Sequence, residues 1–226
     1  MHHLEIIEAI NSFPIAESLN NHDLHLLVEQ GELKVFNKSE YVYRQGEPSD
    51  KIFFLLKGVV KIASNLSEGR EIIKMVVHPR AILSEESFAG ENIRSSNAVS
   101  LTQDVTVLAV KIDVIKELAR KNANFSFDLI EYLGKKLKYT EDRLESLALN
   151  DARERIIQFL KINAQSFGQA VGFEVLLKHD FTQQDIANFT GTSRQTVTTV
   201  MNDLKKRNQI FFKRKSILIR DIKALC

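Results

Sequence analysis

The chain is poor in cysteine, glycine and proline. Its one cysteine is Cys226, so no disulfide can form within the chain, and no iron–sulfur or zinc site can use several of its own cysteines. Nine glycines and three prolines exclude collagen-like and proline-rich linker sequences. No run of about 18 uncharged apolar residues occurs, so we predict no transmembrane helix and no membrane partner. The N-terminus lacks a signal-peptide pattern, and we therefore predict a cytoplasmic protein.

The charges are distributed unevenly along the 226 residues. The formal net charge is +2. Residues 1–150 carry 18 basic and 22 acidic side chains, whereas residues 151–226 carry 13 and 7. A basic C-terminal module on an acidic body indicates a polyanionic partner, although a solvated surface would also account for it.

The first 111 residues change from helical to β-rich patterns. Apolar spacing predicts short helices over the first 30 residues, interrupted by Pro14. Seven short β-rich runs follow: LKVF, YVYR, IFFLL, GVVKIAS, EIIKMVV, NAVSLT and TVLAVK. Turn signals at 45–49, Gly58 and Ser67-Glu68-Gly69 separate several of them. Many short strands at close spacing predict a sandwich or small barrel, and an α+β chain as a whole.

A long helix is predicted from about Ile112 to Leu149. Apolar residues in its central part follow a 3-4-7-3 spacing, which becomes a heptad pattern once Thr140 fills the gap. We call these positions the seam: Ile130, Leu133, Leu137, Leu144 and Leu147. The seam is typical of a two-helix dimer interface or of one amphipathic helix packed on its own domain. The Thr140 hydroxyl needs a partner, which is the carbonyl of Lys136, a group across the interface or a ligand.

A helix-turn-helix pattern lies in the basic C-terminal part. The long helix breaks at 150–151, where we place the domain boundary. Thr182 and Ser193 are positioned to cap two short helices separated by Gly191, and the second helix has a polar outer face. Two β-like runs around a basic turn then predict a wing. The residues expected at DNA phosphates are Thr182, Ser193, Lys205, Lys206, Arg207, Arg214 and Lys215.

This order of segments resembles the CRP/FNR family of bacterial transcription regulators. The most specific stretch is TQQDIANFTGTSRQTV at 182–197, and the run from Gly46 to Gly58 resembles the opening of the family's β-roll. The resemblance implies a jelly-roll β-roll effector domain (1–111), a dimerisation helix (112–149) and a winged helix-turn-helix (150–226). It implies a homodimer that binds an inverted repeat in double-stranded DNA, with RNA polymerase as a partner. A cyclic-nucleotide-sensing regulatory subunit without DNA and a ligand-independent transcription factor are the alternatives.

The resemblance also implies an effector pocket. Glu85 matches the acid that binds a ribose hydroxyl, Arg94 the phosphate-neutralising arginine, Ser95 its hydroxyl neighbour and Thr140 the threonine that contacts adenine in cAMP-responsive members. Where the family usually has two glycines, this chain has the 79–81 turn and Ser84. Their absence predicts a backbone that differs from that of the family, and it would let Arg80 fill the pocket. The effector is thus cAMP or another cyclic nucleotide, another small molecule, or none.

Family comparison selects Arg194, Gln195 and Thr199 as the residues that contact bases. We predict no iron–sulfur sensor, because such members of the family need several cysteines and this chain has one. We also predict no haem, which needs an axial ligand, because a lone histidine such as His78 near the strands is usually a surface or hydrogen-bonded residue. We find no G-x-S-x-G, H-E-x-x-H or P-loop pattern. We therefore predict neither an enzyme nor a metal site.

Overall fold

The structure is a computed structural model that describes residues 2–65 and 69–226. The chain forms two compact units, residues 1–139 and residues 140–226. Of the predicted turn at 67–69, Ser67 and Glu68 lie outside the described residues. Among the described residues, no helix is both long and apolar enough to cross a membrane.

Short helices open the first unit, as the sequence predicted. Helix α1 (His3–Asn11) and helix α2 (Asn21–Glu29) are separated by a 3₁₀ turn at Pro14–Ala16. Their apolar faces enter the core of the unit, which also contains Phe54 and Phe125. The helices are therefore fixed against the β-sheets rather than exposed as an arm.

Two four-stranded antiparallel sheets follow and confirm the predicted sandwich. The strands are β1 (Gly31–Phe36), β2 (Tyr41–Tyr43), β3 (Lys51–Lys57), β4 (Val60–Asn65), β5 (Glu71–Val77), β6 (Ala81–Leu83), β7 (Asn97–Ser100) and β8 (Val105–Lys111). One sheet has the order β1-β8-β3-β6 and the other β2-β7-β4-β5. The sequence pattern missed β6, because its three residues are too few to show a period of two.

The long helix predicted from Ile112 to Leu149 is wrong in its first part. Two helices occupy the segment, α3 (Ile112–Lys121) and α4 (Ala123–Leu149), and the backbone of Asn122 between them is extended. The Asn122 side chain accepts a hydrogen bond from the Phe125 amide and donates one to the Ser18 carbonyl. These bonds favour the break. Helix α3 buries its apolar face in the core of the first unit, so only α4 is available as an extended helix.

The second unit begins within α4 and contains three further helices and one sheet. Its elements are α5 (Ala152–Phe167), β9 (Gln169–Val171), β10 (Glu174–Lys178), α6 (Gln183–Thr190), α7 (Arg194–Lys206), β11 (Ile210–Lys213) and β12 (Ser216–Ile219). The sheet has the order β11-β12-β10-β9. Helix α5 runs to Phe167, and a β9–β10 hairpin follows it.

Candidate functional site

The predicted effector pocket is built on a sharp turn after β6. Ser84 has a left-handed backbone with φ of +69° and precedes a 3₁₀ helix at Glu85–Ala89. Arg80, in the turn before β6, has φ of +73°. Two non-glycine residues thus adopt the conformation that glycine favours, and a backbone different from that of the family stays a prediction. Arg80 does not fill the pocket, since its Nε donates to the carbonyl of Ser12.

Arg94 is the buried charge of this region, with 6% of its surface exposed. Its Nη1 donates to Ser84 Oγ and its Nη2 donates to the carbonyl oxygen of Lys51, 3.2 Å away. The guanidinium carbon lies 4.2 Å from the ring centre of Tyr43 and 5.2 Å from that of Phe53. Burial lowers the pKa of Arg94 and raises that of Tyr43. Among the described residues, no carboxylate is hydrogen-bonded to this guanidinium.

Glu85 is paired with a lysine that the sequence reasoning did not select. The Lys136 ammonium, on α4, contacts the Glu85 carboxylate, and both side chains are largely buried. Burial lowers the pKa of Lys136 to about 8. A pKa of about 8 leaves the Lys136 ammonium charged at neutral pH, and the adjacent carboxylate favours that charged form. Lys136 lies one helical turn before Thr140, and this i, i+4 spacing is the signal that could have found it.

Two other predicted effector residues are exposed. Ser95 points outward, and its hydroxyl lies 3.4 Å from that of Ser96. Thr140 is exposed on α4 at the start of the second unit. Their participation in a pocket with Arg94 stays a prediction.

The seam on α4 is mostly exposed apolar surface. The exposed fractions are 64% for Ile130, 61% for Leu137, 68% for Leu144 and 43% for Leu147, and Leu133 is half-buried. A helix packed on its own domain would bury this stripe. Within the described part of the chain, most of this stripe is exposed.

The helix-turn-helix is formed as predicted from its capping residues. The Thr182 hydroxyl accepts from the Asp185 amide, and the Asp185 carboxylate accepts from the Thr182 amide. Gly191 ends α6 with φ of +62°, and the Ser193 hydroxyl accepts from the Thr196 amide to begin α7. The buried face of α7 consists of Val197, Val200, Met201 and Leu204.

Two arginines fix the turn of this motif within the second unit. The Arg143 guanidinium donates to the carbonyl of Phe189 at 2.7 Å and lies over its ring. Arg155 donates to the carbonyl of Thr190, also at 2.7 Å. A Cβ on Gly191 would lie 3.3 Å from Leu147. The turn is thus tied to both α4 and α5 by charge-assisted hydrogen bonds.

The outer face of α7 presents the three predicted base-contacting residues. Arg194, Gln195 and Thr199 are all exposed near the N-terminus of the helix. The Thr199 hydroxyl donates to the carbonyl of Gln195, 3.0 Å away. An exposed arginine and glutamine at a helix N-terminus have the donors and acceptors that read base edges in a major groove.

The predicted phosphate-contacting cations differ in their surroundings. Arg207 pairs with Asp203 at 3.0 Å, and Lys215 pairs with Asp180 at 3.0 Å. Lys205 lies 5.5 Å from the ring centre of Phe211 on the wing. Lys206 and Arg214 are exposed and have no carboxylate partner within the described part of the chain. Lys206 and Arg214 are therefore the cations most available to a polyanion, while Thr182 and Ser193 act here as helix caps.

Comparison with known proteins matches both units. Residues 33–122 match the family described as "Cyclic nucleotide-binding domain", and residues 154–226 match "Crp-like helix-turn-helix domain". A "CRP-like cAMP-activated global transcriptional regulator" of Mycobacterium tuberculosis is 30% identical over 190 residues, which cover 84% of each chain. The chain belongs to the CRP/FNR family of transcription regulators. It is therefore a DNA-binding transcription regulator and not an enzyme, and the N-terminal sandwich is a cyclic nucleotide-binding-type domain.

One further sequence relative and two solved structures are also similar to this chain, and the structures share its fold. A "Global nitrogen regulator" of Synechocystis is 27% identical over 195 residues, with 85% of this chain and 86% of the relative covered. FixK2 from Bradyrhizobium japonicum superposes with a TM-score of 0.77 at 22% identity, over 86% of this chain and 95% of that one. A CooA mutant from Carboxydothermus hydrogenoformans gives 0.78 at 20% identity, over 97% of both chains.

Proposed function

We propose that the protein is a homodimeric, effector-gated regulator in which Arg94 binds the anionic group of a small molecule. The observation that carries this proposal is a buried guanidinium that contacts hydroxyl, carbonyl and aromatic groups but no carboxylate of the described residues. A buried charge without a directly bonded counter-ion is costly, so a phosphate ligand would supply the missing charge-assisted hydrogen bonds. Residues 1–111 then hold the effector and residues 150–226 hold the DNA.

A cyclic nucleotide is the ligand we propose to test first. The Mycobacterium relative is named as cAMP-activated, and the matched domain is of the cyclic nucleotide-binding type. Glu85 is the proposed acceptor for a ribose hydroxyl, but Lys136 already occupies its carboxylate. A ribose must therefore share or displace this ion pair, which lowers the expected affinity relative to a free carboxylate.

We expect cAMP or cGMP to bind the wild-type protein and not the Arg94→Ala variant, because the substitution deletes the phosphate counter-charge. Isothermal titration calorimetry of the full chain measures the binding of each nucleotide to the wild type and to the variant. Arg44→Ala is the matched control, since Arg44 is in the same domain but lies over the Tyr41 ring on the surface, 3.7 Å from its centre. No heat and no thermal stabilisation at about millimolar nucleotide would contradict the cyclic nucleotide proposal and leave DNA binding untouched.

The seam on α4 is the proposed dimer interface. Nearly three heptads of mostly exposed apolar residues fit a second copy of the same helix. Twofold symmetry then requires an inverted repeat with half-sites about one helical turn apart. We also propose a cytoplasmic location and RNA polymerase as a partner, as the resemblance to the CRP/FNR family implies.

A further inference from the structure

The two N-terminal helices bring together two histidines and a glutamate that no part of the proposed regulator function uses. His3 opens α1, while His25 and Glu29 lie one turn apart on α2. One ligand atom from each of the three side chains lies within 4.8 Å of the others. The two imidazole rings are 5.6 Å apart between centres. The sequence pattern missed this set, because His3 and His25 are separated by 21 residues and meet only when the helices pack.

The backbone of the three ligand residues is held in place by the buried inner faces of α1 and α2. The inner faces of α1 and α2 are buried through Ile6, Ile10, Leu24 and Leu27, whereas the three ligand side chains are exposed. An ion with bonds of about 2.0–2.1 Å needs ligand atoms about 3.3 Å apart in a tetrahedron. Rotation of the exposed side chains about their χ angles would bring the ligand atoms from within 4.8 Å to this separation without moving either helix.

We propose that His3, His25 and Glu29 bind one divalent first-row transition metal ion of the Zn²⁺ class and staple α1 to α2. Two imidazole nitrogens and a carboxylate oxygen suit zinc and its neighbours rather than Mg²⁺ or Ca²⁺, which prefer oxygen ligands alone. Water completes the coordination, because the three residues are exposed. The ion links two helices that both pack on the β-sandwich, so it stabilises the first unit.

The test is a titration of the full chain with Zn²⁺ alone. It is carried out in a Cys226→Ser background, because Cys226 is exposed and a thiolate is itself a zinc ligand. We expect one ion per chain with a dissociation constant of about 1–100 µM. We expect His3→Ala, His25→Ala and Glu29→Gln each to weaken binding at least about tenfold. His22→Ala is the matched control, since His22 is on the same helix but outside the cluster, and its affinity should equal that of the parent.

Thermal unfolding supplies a second readout. Zn²⁺ at a large excess over its dissociation constant should raise the melting temperature of the parent by about 3 °C or more, and should not raise that of the cluster variants. The proposal is overturned if no saturable binding appears below about 1 mM, if His22→Ala weakens binding as much as His25→Ala, or if one ion is shared by two chains. If Zn²⁺ binds fully but the melting temperature does not change, the claim that the ion stabilises the first unit by linking α1 to α2 is wrong.

Discussion

Replacing Leu137 with glutamate is expected to convert the protein to monomers and to weaken operator binding by about 100-fold or more. Leu137 is 61% exposed in the single chain and lies at the middle of the seam. Two facing carboxylates in a closed helix pair would be desolvated and would repel each other. A monomer holds one half-site at a time and loses the effective concentration that the second half-site contributes.

Sedimentation velocity and an electrophoretic shift with the same DNA measure the two effects. Leu149→Glu is the matched control, because Leu149 is 74% exposed on the same helix and lies outside the seam spacing. This control should remain dimeric and should bind DNA normally. A wild-type protein that sediments as a monomer at about 10 µM, or a control that dissociates equally, would contradict the interface.

Replacing Arg194 with alanine is expected to relax sequence preference at one position of each half-site. Arginine pairs with guanine O6 and N7 in the major groove, and each such pair contributes about 1–3 kcal/mol of discrimination. Arg194 is exposed at the first position of α7, directly after the Ser193 cap, so its removal leaves the helix terminus intact. Selection from random DNA, followed by titration of the selected and mismatched sites, measures the change.

Lys206→Ala is the matched comparison for Arg194→Ala. Lys206 is exposed at the end of the same helix, and we expect it to contact phosphate. Its loss should weaken binding to all sequences alike and reduce the slope of log K against log salt by about 1 for each subunit. An Arg194→Ala protein with unchanged preferences, or a wild-type selection that yields no inverted repeat, would show that the base-contact assignment is wrong.

Because of Gln195 and Thr199, we expect the DNA half-site selected by this protein to differ from the half-site of other CRP/FNR members. The resemblance to the family implies a glutamate at position 195 and an arginine at position 199. Glutamate accepts from cytosine N4, whereas glutamine pairs with adenine N6 and N7, so an A·T pair is expected at that step. Threonine at position 199 lacks the bidentate guanine contact that an arginine would make. Both side chains are exposed on α7, and both expectations are read from the same selection experiment.

The sequence by itself determined the elements whose signals are local. Caps at Thr182 and Ser193 and the left-handed Gly191 define the helix-turn-helix within a few residues, because a cap acts on its own first turn. The heptad spacing of the seam likewise predicted an apolar stripe on α4, since a helix repeats every 3.6 residues whatever surrounds it. The family motifs then indicated the DNA-binding function.

The tertiary structure alone decided features that join distant parts of the chain. The break at Asn122 depends on the Ser18 carbonyl, more than 100 residues earlier. Burial of Arg94 under Ser84 and Tyr43, the pairing of Glu85 with Lys136, and the meeting of His3 with His25 all require packed elements. No local pattern encodes such contacts, because they arise when separate helices and strands bury their apolar faces together and carry their polar side chains into reach of one another.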